Sequence, residues 1–223
     1  QTVVFNQEGS RTVLVTSGVP QGSVLGPLLF LLYTANVLLI TQRHGLKAHS
    51  YADDIQIHCS GKADSVATVI SRVVACINDI GEWMTGNRLK LNTDKTQFIW
   101  HGTRVQLSKV SINEIELDGV SIPMSTTVRC LGVMLDGELS FAEHIKQLSN
   151  GCFYQLRQLW SIRRLLTKES AKTLVHATIL SRVDYCNSVL NRVCAVHLRP
   201  LHSVLRSAAR LVLRLQKYDH ITI

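Results

Sequence analysis

Asp53 and Asp54 are adjacent carboxylates, preceded by Tyr51 and Ala52 and set between two short apolar runs. The runs Leu46 to Tyr51 and Ile55 to Cys59 read as strands, and the second alternates with period two. Asp tolerates turn geometry, so a tight hairpin carrying the pair at its tip is expected. Such a tip offers two hard oxygen ligands of the kind a divalent cation takes. Two-metal phosphoryl-transfer sites are built this way, with ions about 3.5–4 Å apart holding the attacking and leaving oxygens. An isolated Asp-Asp is more often a plain acidic turn, so the choice rests on its surroundings.

Three further segments supply them. Gly18-Val19-Pro20-Gln21-Gly22-Ser23-Val24-Leu25-Gly26-Pro27 opens an apolar run that ends near Ile40. Its Gly and Pro content allows close backbone approach by a ligand, and exposed N–H groups at a helix start favour phosphate or sugar. No Gly-Lys-Ser/Thr follows, so it is not a P-loop. Gln21 brings an amide that both donates and accepts. A structural loop opening a helix is the alternative. Downstream, Leu89 to Thr96 precedes an apolar strand, Gln97 to Trp100, and Lys95 is either a functional cation or a solvated edge lysine. The last segment is Cys130-Leu131-Gly132-Val133-Met134-Leu135-Asp136, where Gly132 permits close backbone approach or marks a bulge.

In this order the four segments resemble a reverse transcriptase of the non-LTR (LINE-type) retrotransposon class. GVPQGSVLGP followed at this distance by YADD carries most of the resemblance, which covers nearly the whole chain. It implies RNA-templated DNA synthesis, in which a primer 3′-hydroxyl attacks the α-phosphate of a deoxynucleoside triphosphate and pyrophosphate leaves. It implies two Mg²⁺ ions at Asp53 and Asp54, with Asp54 further from the metals. Gln21, Gly22 and Tyr51 would lie against the incoming nucleotide and template. Lys95 would sit near the triphosphate, where general-acid assistance contributes about 10²–10⁴-fold. Leu131 and Gly132 would support the primer end. The implied partners are an RNA template, a DNA primer and deoxynucleoside triphosphates.

The family's metal site uses a third aspartate on a strand upstream of the GVPQGS loop. No aspartate precedes Asp53 here, and Glu8 is the sole acid in that stretch. The chain therefore reads as a fragment without the fingers and the first palm strand. Magnesium needs near-octahedral geometry and binds through few protein ligands, so two carboxylates hold two ions poorly. Catalysis at such sites is mainly positioning and electrostatics. The fragment alone is expected to be inactive, and a non-catalytic nucleic-acid-binding remnant is the alternative reading.

Charge divides the chain. Residues 1–142 hold 11 Lys/Arg against 12 Asp/Glu, a net of −1, while residues 143–223 hold 13 against 4, a net of +9. The basic part suits a phosphate-rich partner. In its last helix Arg206, Arg210 and Arg214 step by four along one face, beside an apolar stripe through Leu201, Val204, Leu205, Ala208, Leu211, Val212 and Leu215. By the resemblance this is the thumb, gripping duplex phosphates; a solvated basic face or a membrane- or calmodulin-binding helix are the alternatives.

The fold class expected is α+β: a partial polymerase palm, an antiparallel sheet backed by helices, over 1–140, then an all-helical, basic, thumb-like region over 141–223. Strands are expected at Val13 to Thr16, Leu89 to Leu91, Thr96 to Trp100 and onward through Leu135. A buried helix runs to Arg43, and another from Asp64 or Ser65 to Met84. Beyond these, helices span 141–166, 168–182 and 197–217, with Ser140, Thr167 and Pro200 as start signals. Val24 to Ile40 is 17 residues, at the lower limit for spanning a membrane. With Pro27, Thr34 and Asn36 inside it, no membrane partner is expected. The six cysteines form no CxxC pair and no signal peptide precedes them, which points to reduced thiols in the cytoplasm or nucleus. Cys194, His197 and His202 do not match zinc spacing. Composition leaves the oligomeric state open.

Overall fold

The computed structural model describes residues 2, 4–14, 22–62, 65–117, 119–216 and 218–221. The chain divides into two compact units, Gln1–Asn92 and Thr93–Ile223.

The first unit opens on a short hairpin, β1 (Val4–Phe5) and β2 (Glu8–Gly9). Val13 and Leu14 are not in a strand, and the rest of the strand expected there lies outside the described residues. Helix α1 (Gly26–Arg43) has Pro27 in its first turn, where a missing N–H costs nothing. Hairpin β3 (Lys47–Tyr51) and β4 (Asp54–His58) follows, then helix α2 (Val66–Gly86). Ser65 occupies the N-cap of α2 without a capping side-chain bond, and Asp64 is outside the described residues. Val37, Ile40 and Leu46 pack with Cys76, Ile80 and Met84, and Ile55 and Ile57 of β4 close over them.

One expectation is corrected here. Helix α1 is buried along one side only: Leu28, Leu29, Leu31, Leu32 and Leu39 are exposed, whereas Thr34, Val37, Ile40 and Thr41 are covered. Its sequence is apolar on all sides. A two-stranded hairpin and one helix can cover only one side of it.

The second unit begins with a 3₁₀ turn, Thr93–Lys95, and a short helix, α3 (Arg104–Leu107), capped by Thr103 and Gln106 in a reciprocal capping box. Leu89 to Leu91 and Thr96 to Trp100 are not strands; a lone bridge from Phe98 to Met124 is what the described residues form there. Two hairpins follow: β5 (Glu114–Leu117) with β6 (Val120–Pro123), and β7 (Thr127–Cys130) with β8 (Val133–Asp136). The architecture is thus mixed α+β, as expected. Its described strands form four separate antiparallel pairs rather than one continuous sheet. A hairpin's register is fixed by its own turn, whereas joining hairpins needs edge pairing that no local signal specifies.

From α4 (Ala142–Ile162) onward the unit is helical. Helix α5 (Lys168–Val175) runs through a π-helical segment, His176–Leu180, into α6 (Ser181–Asp184). A 3₁₀ turn, Asn187–Leu190, leads to α7 (Ala195–Leu213). Thr167 caps α5 as expected, its hydroxyl accepting from the Ser170 N–H. Pro200 does not start α7; it sits inside the helix, which begins at Ala195. Its ring sacrifices one backbone bond there, while its neighbour Leu201 is buried against Ile145 and Leu190. Cys152, Leu156, Val175, Ile179, Val204 and Leu211 form the main core of these helices. Among the described residues no helix is long and apolar enough to cross a membrane.

Candidate active site

The β3–β4 hairpin pairs Tyr51 with Asp54, leaving Ala52 and Asp53 as its two turn residues. Ala52 adopts left-handed backbone, with φ of 52°. That conformation costs an L-residue about 1–2 kcal/mol, which the paired strands on either side must sustain. Alternation places Ala48, Ser50, Ile55 and Ile57 inward and Lys47, His49, Tyr51, Asp54, Gln56 and His58 outward. His49 and His58 stack across the strands at 5.0 Å between ring centroids. Ile55 and Ile57 lie on the core under α1 and α2, so Asp54 faces away from it. Asp53 and Asp54 are both exposed, and Tyr51 is 69% exposed. The arrangement offers two exposed carboxylates and an exposed aromatic ring at the tip of a hairpin whose inner face packs on the core.

The donor set fits magnesium, an oxygen-seeking ion that takes one or two carboxylates and completes its shell with water and phosphate. Among the described residues, no third acid, histidine or cysteine joins the pair into a larger ligand cluster.

The other sequence candidates divide between the units. Gly22, with φ of 85° and open space where a Cβ would stand, precedes α1, and Ser23 Oγ accepts from the Gly26 N–H at 3.0 Å. Gln21 lies outside the described residues. Lys95 is exposed at the end of its 3₁₀ turn in the second unit. Leu131 and Gly132 form the two-residue turn between β7 and β8, both left-handed, with φ of 44° and 87°. Arg206 is exposed on α7. Arg210 instead donates twice to the Asp219 carbonyl, at 3.1 and 2.9 Å, and Arg214 donates to the Leu166 carbonyl at 3.0 Å.

Four residues of the second unit, with no role assigned above, hold its own structure together. Asp136 sits where β8 turns into α4 and accepts from the N–H groups of Glu138, Ser140 and Phe141 and from the Ser140 hydroxyl. Burial pushes its carboxyl pKa up, but these bonds outweigh it and hold the group below its ordinary value. His144 is buried on α4, and its Nδ1 accepts from the Met134 N–H at 3.4 Å. Burial and, secondarily, the Arg129 charge keep its pKa below the ordinary value. Arg163 is buried and donates to the carbonyls of Leu211, Leu166 and Val212 at 2.7, 2.8 and 2.9 Å. Tyr185 reaches the Leu131 carbonyl at 2.6 Å. Of these, Asp136 had a local signal, an acid five residues before the residue that caps α4; the others each have a partner 10 to 54 residues away.

Residues 2–135 match the family model described as reverse transcriptase (RNA-dependent DNA polymerase). The chain is similar to the probable RNA-directed DNA polymerase from transposon BS of Drosophila melanogaster, 34% identical over 167 residues, covering 72% of this chain and 18% of that protein. It is 22% identical over 215 residues to the probable RNA-directed DNA polymerase from transposon X-element of the same organism, covering 94% and 23%. It is also 26% identical over 186 residues to the retrovirus-related Pol polyprotein from type-1 retrotransposable element R1 2 of Nasonia vitripennis, covering 77% and 42%. The chain thus spans less than a quarter of the first two relatives. No solved structure matches it significantly.

Proposed function

Because the chain belongs to the reverse transcriptase family and is related to the enzymes of non-LTR retrotransposons, we propose that it is the palm and thumb portion of an RNA-directed DNA polymerase. Residues 1–140 are read as the partial palm and 141–223 as the thumb. The observation that carries this is the exposed Asp53–Asp54 pair at the tip of a hairpin seated on a helical core, inside the family match.

In the intact enzyme Asp53 and Asp54 hold magnesium, which when bound neutralises charge on the reacting phosphates. Gln21, Gly22 and Tyr51 contact the nucleotide and template. Lys95 serves the triphosphate. Leu131 and Gly132 support the primer end, and Arg206, Arg210 and Arg214 lie along the duplex phosphates. The substrates are an RNA template, a DNA primer and deoxynucleoside triphosphates.

This chain alone is proposed to bind template–primer without extending it. Two adjacent carboxylates leave too few fixed ligands for two ions. The strongly basic helices favour a second reading, a non-catalytic nucleic-acid-binding remnant. Primer extension on an RNA template with Mg²⁺, comparing the chain with Asp53→Asn, tests both. Extension by the first and not by the second would overturn the inactivity and keep the enzyme. Neither binding nor extension by folded protein would remove both readings.

A further inference from the structure

We infer that Tyr185 is a positioning residue for the primer 3′ end, acting through the Leu131–Gly132 turn. The inference rests on the assignment of that turn to the primer end made above. A two-residue hairpin turn with both residues left-handed favours Asn-Gly or Asp-Gly. Here the first position is Leu131, a bulky side chain at φ of 44°, so the turn's own chemistry does not hold it. Tyr185 does so in two ways. Its hydroxyl donates to the Leu131 carbonyl at 2.6 Å. Its ring lies so close to Gly132 that a Cβ there would meet Cε1 at 3.2 Å. Gly132 is thus fixed twice, by its φ of 87° and by the ring.

Tyr185 is itself anchored. It follows α6, and Cys186 after it is left-handed with φ of 53°, so the chain turns away at that point before the 3₁₀ segment Asn187–Leu190. The hydrogen bond therefore ties the β7–β8 tip to the helical segment 54 residues later in the chain. Tyr185 is nonetheless 54% exposed. A side chain so open adds little to a core, while its hydroxyl and its ring both bear on the left-handed turn.

The test uses the full chain and an RNA template annealed to a DNA primer ending in 4-thiothymidine, with photo-crosslinks mapped by mass spectrometry. Hybrid affinity is read in parallel by fluorescence anisotropy. Wild type should crosslink within residues 130–146, the tryptic peptide that contains the turn. Tyr185→Ala should lower that crosslink about fivefold or more at unchanged affinity, because small misplacements cost steeply in alignment. Tyr185→Phe keeps the ring and loses the donor, so an intermediate loss is expected; it decides the matter if Tyr185→Ala does not fold. Gly132→Ala, which strikes the same ring, should resemble Tyr185→Ala. Unchanged crosslinking in both tyrosine variants, or a loss that only follows affinity, would overturn the inference. Wild type that binds the hybrid but crosslinks elsewhere, or does not bind it, would remove the primer-end assignment itself, a failure visible without any variant.

Discussion

The carboxylate of Asp136 accepts the Phe141 N–H at 2.7 Å, across the corner where β8 gives way to α4. Phe141 is left-handed, with φ of 57°, and its own side chain caps nothing, so the carboxylate does the capping from five residues upstream. The Ser140 hydroxyl extends the arrangement by accepting from the Ala142 N–H. A helix start is thus assembled from a strand end.

Asp136→Ala is expected to destabilise the chain by about 2–3 kcal/mol, since charge-assisted bonds are lost and backbone donors are left unpaired. Asp136→Asn should lose less, because an amide oxygen still accepts. Urea unfolding followed by circular dichroism measures both. The carboxyl pKa is held below its ordinary 3.8, so its stabilisation is present above about pH 4 and is lost as pH falls through the folded value.

His144 should act in the same direction at a higher pH. Its folded pKa lies below 6.5, so the unfolded chain takes up the proton first. Stability is therefore full above about pH 6.5 and declines as pH falls towards the folded value. Protonating Nδ1 would also remove the acceptor of the Met134 N–H. His144→Asn retains an acceptor and has no such titration, so the slope of melting temperature between pH 7 and 5 should flatten.

Arg163 and Arg164 are neighbours with opposite fates. Arg163 is buried on three carbonyls, and Arg164 is exposed. Arg163→Met should lower the urea midpoint markedly because it strands those carbonyls, two of them at the end of α7. Arg164→Met should leave it nearly unchanged. Equal effects would remove the structural role assigned to Arg163.

Arg206→Ala should weaken binding to an RNA–DNA hybrid and reduce the slope of log affinity against log salt by about 1, at unchanged melting temperature. Arg214→Ala should lower the melting temperature as well, because its guanidinium also holds the Leu166 carbonyl. Anisotropy titrations across a salt series, with thermal melts alongside, separate the two.

What the sequence makes legible is what lies close along the chain. The Tyr51–Asp54 hairpin follows from alternation in five-residue strands, and Thr167 from its place before a helix. The long helices of the basic half follow from their apolar spacing. Arg163 looks like any basic residue beside Arg164, because two of its three partners are 48 and 49 residues away. Tyr185 falls between the helices expected at 168–182 and 197–217, and nothing nearby announces the turn it holds, 54 residues earlier. Pro200 misleads because proline signals a helix start only where packing does not favour an earlier one. The exposure of α1 depends on how much of its surface other elements cover, which its composition does not encode.

Every described strand pair joins neighbours in the chain, and the longest of these ladders has five rungs. Hairpins of this kind close in about 1–10 μs. The Arg163 contacts with Leu211 and Val212 must instead close a loop of 48 to 49 residues, paying the chain entropy first. Refolding should therefore be limited by docking of α7 onto α4, and substitutions in the hairpins should alter unfolding rates more than refolding rates.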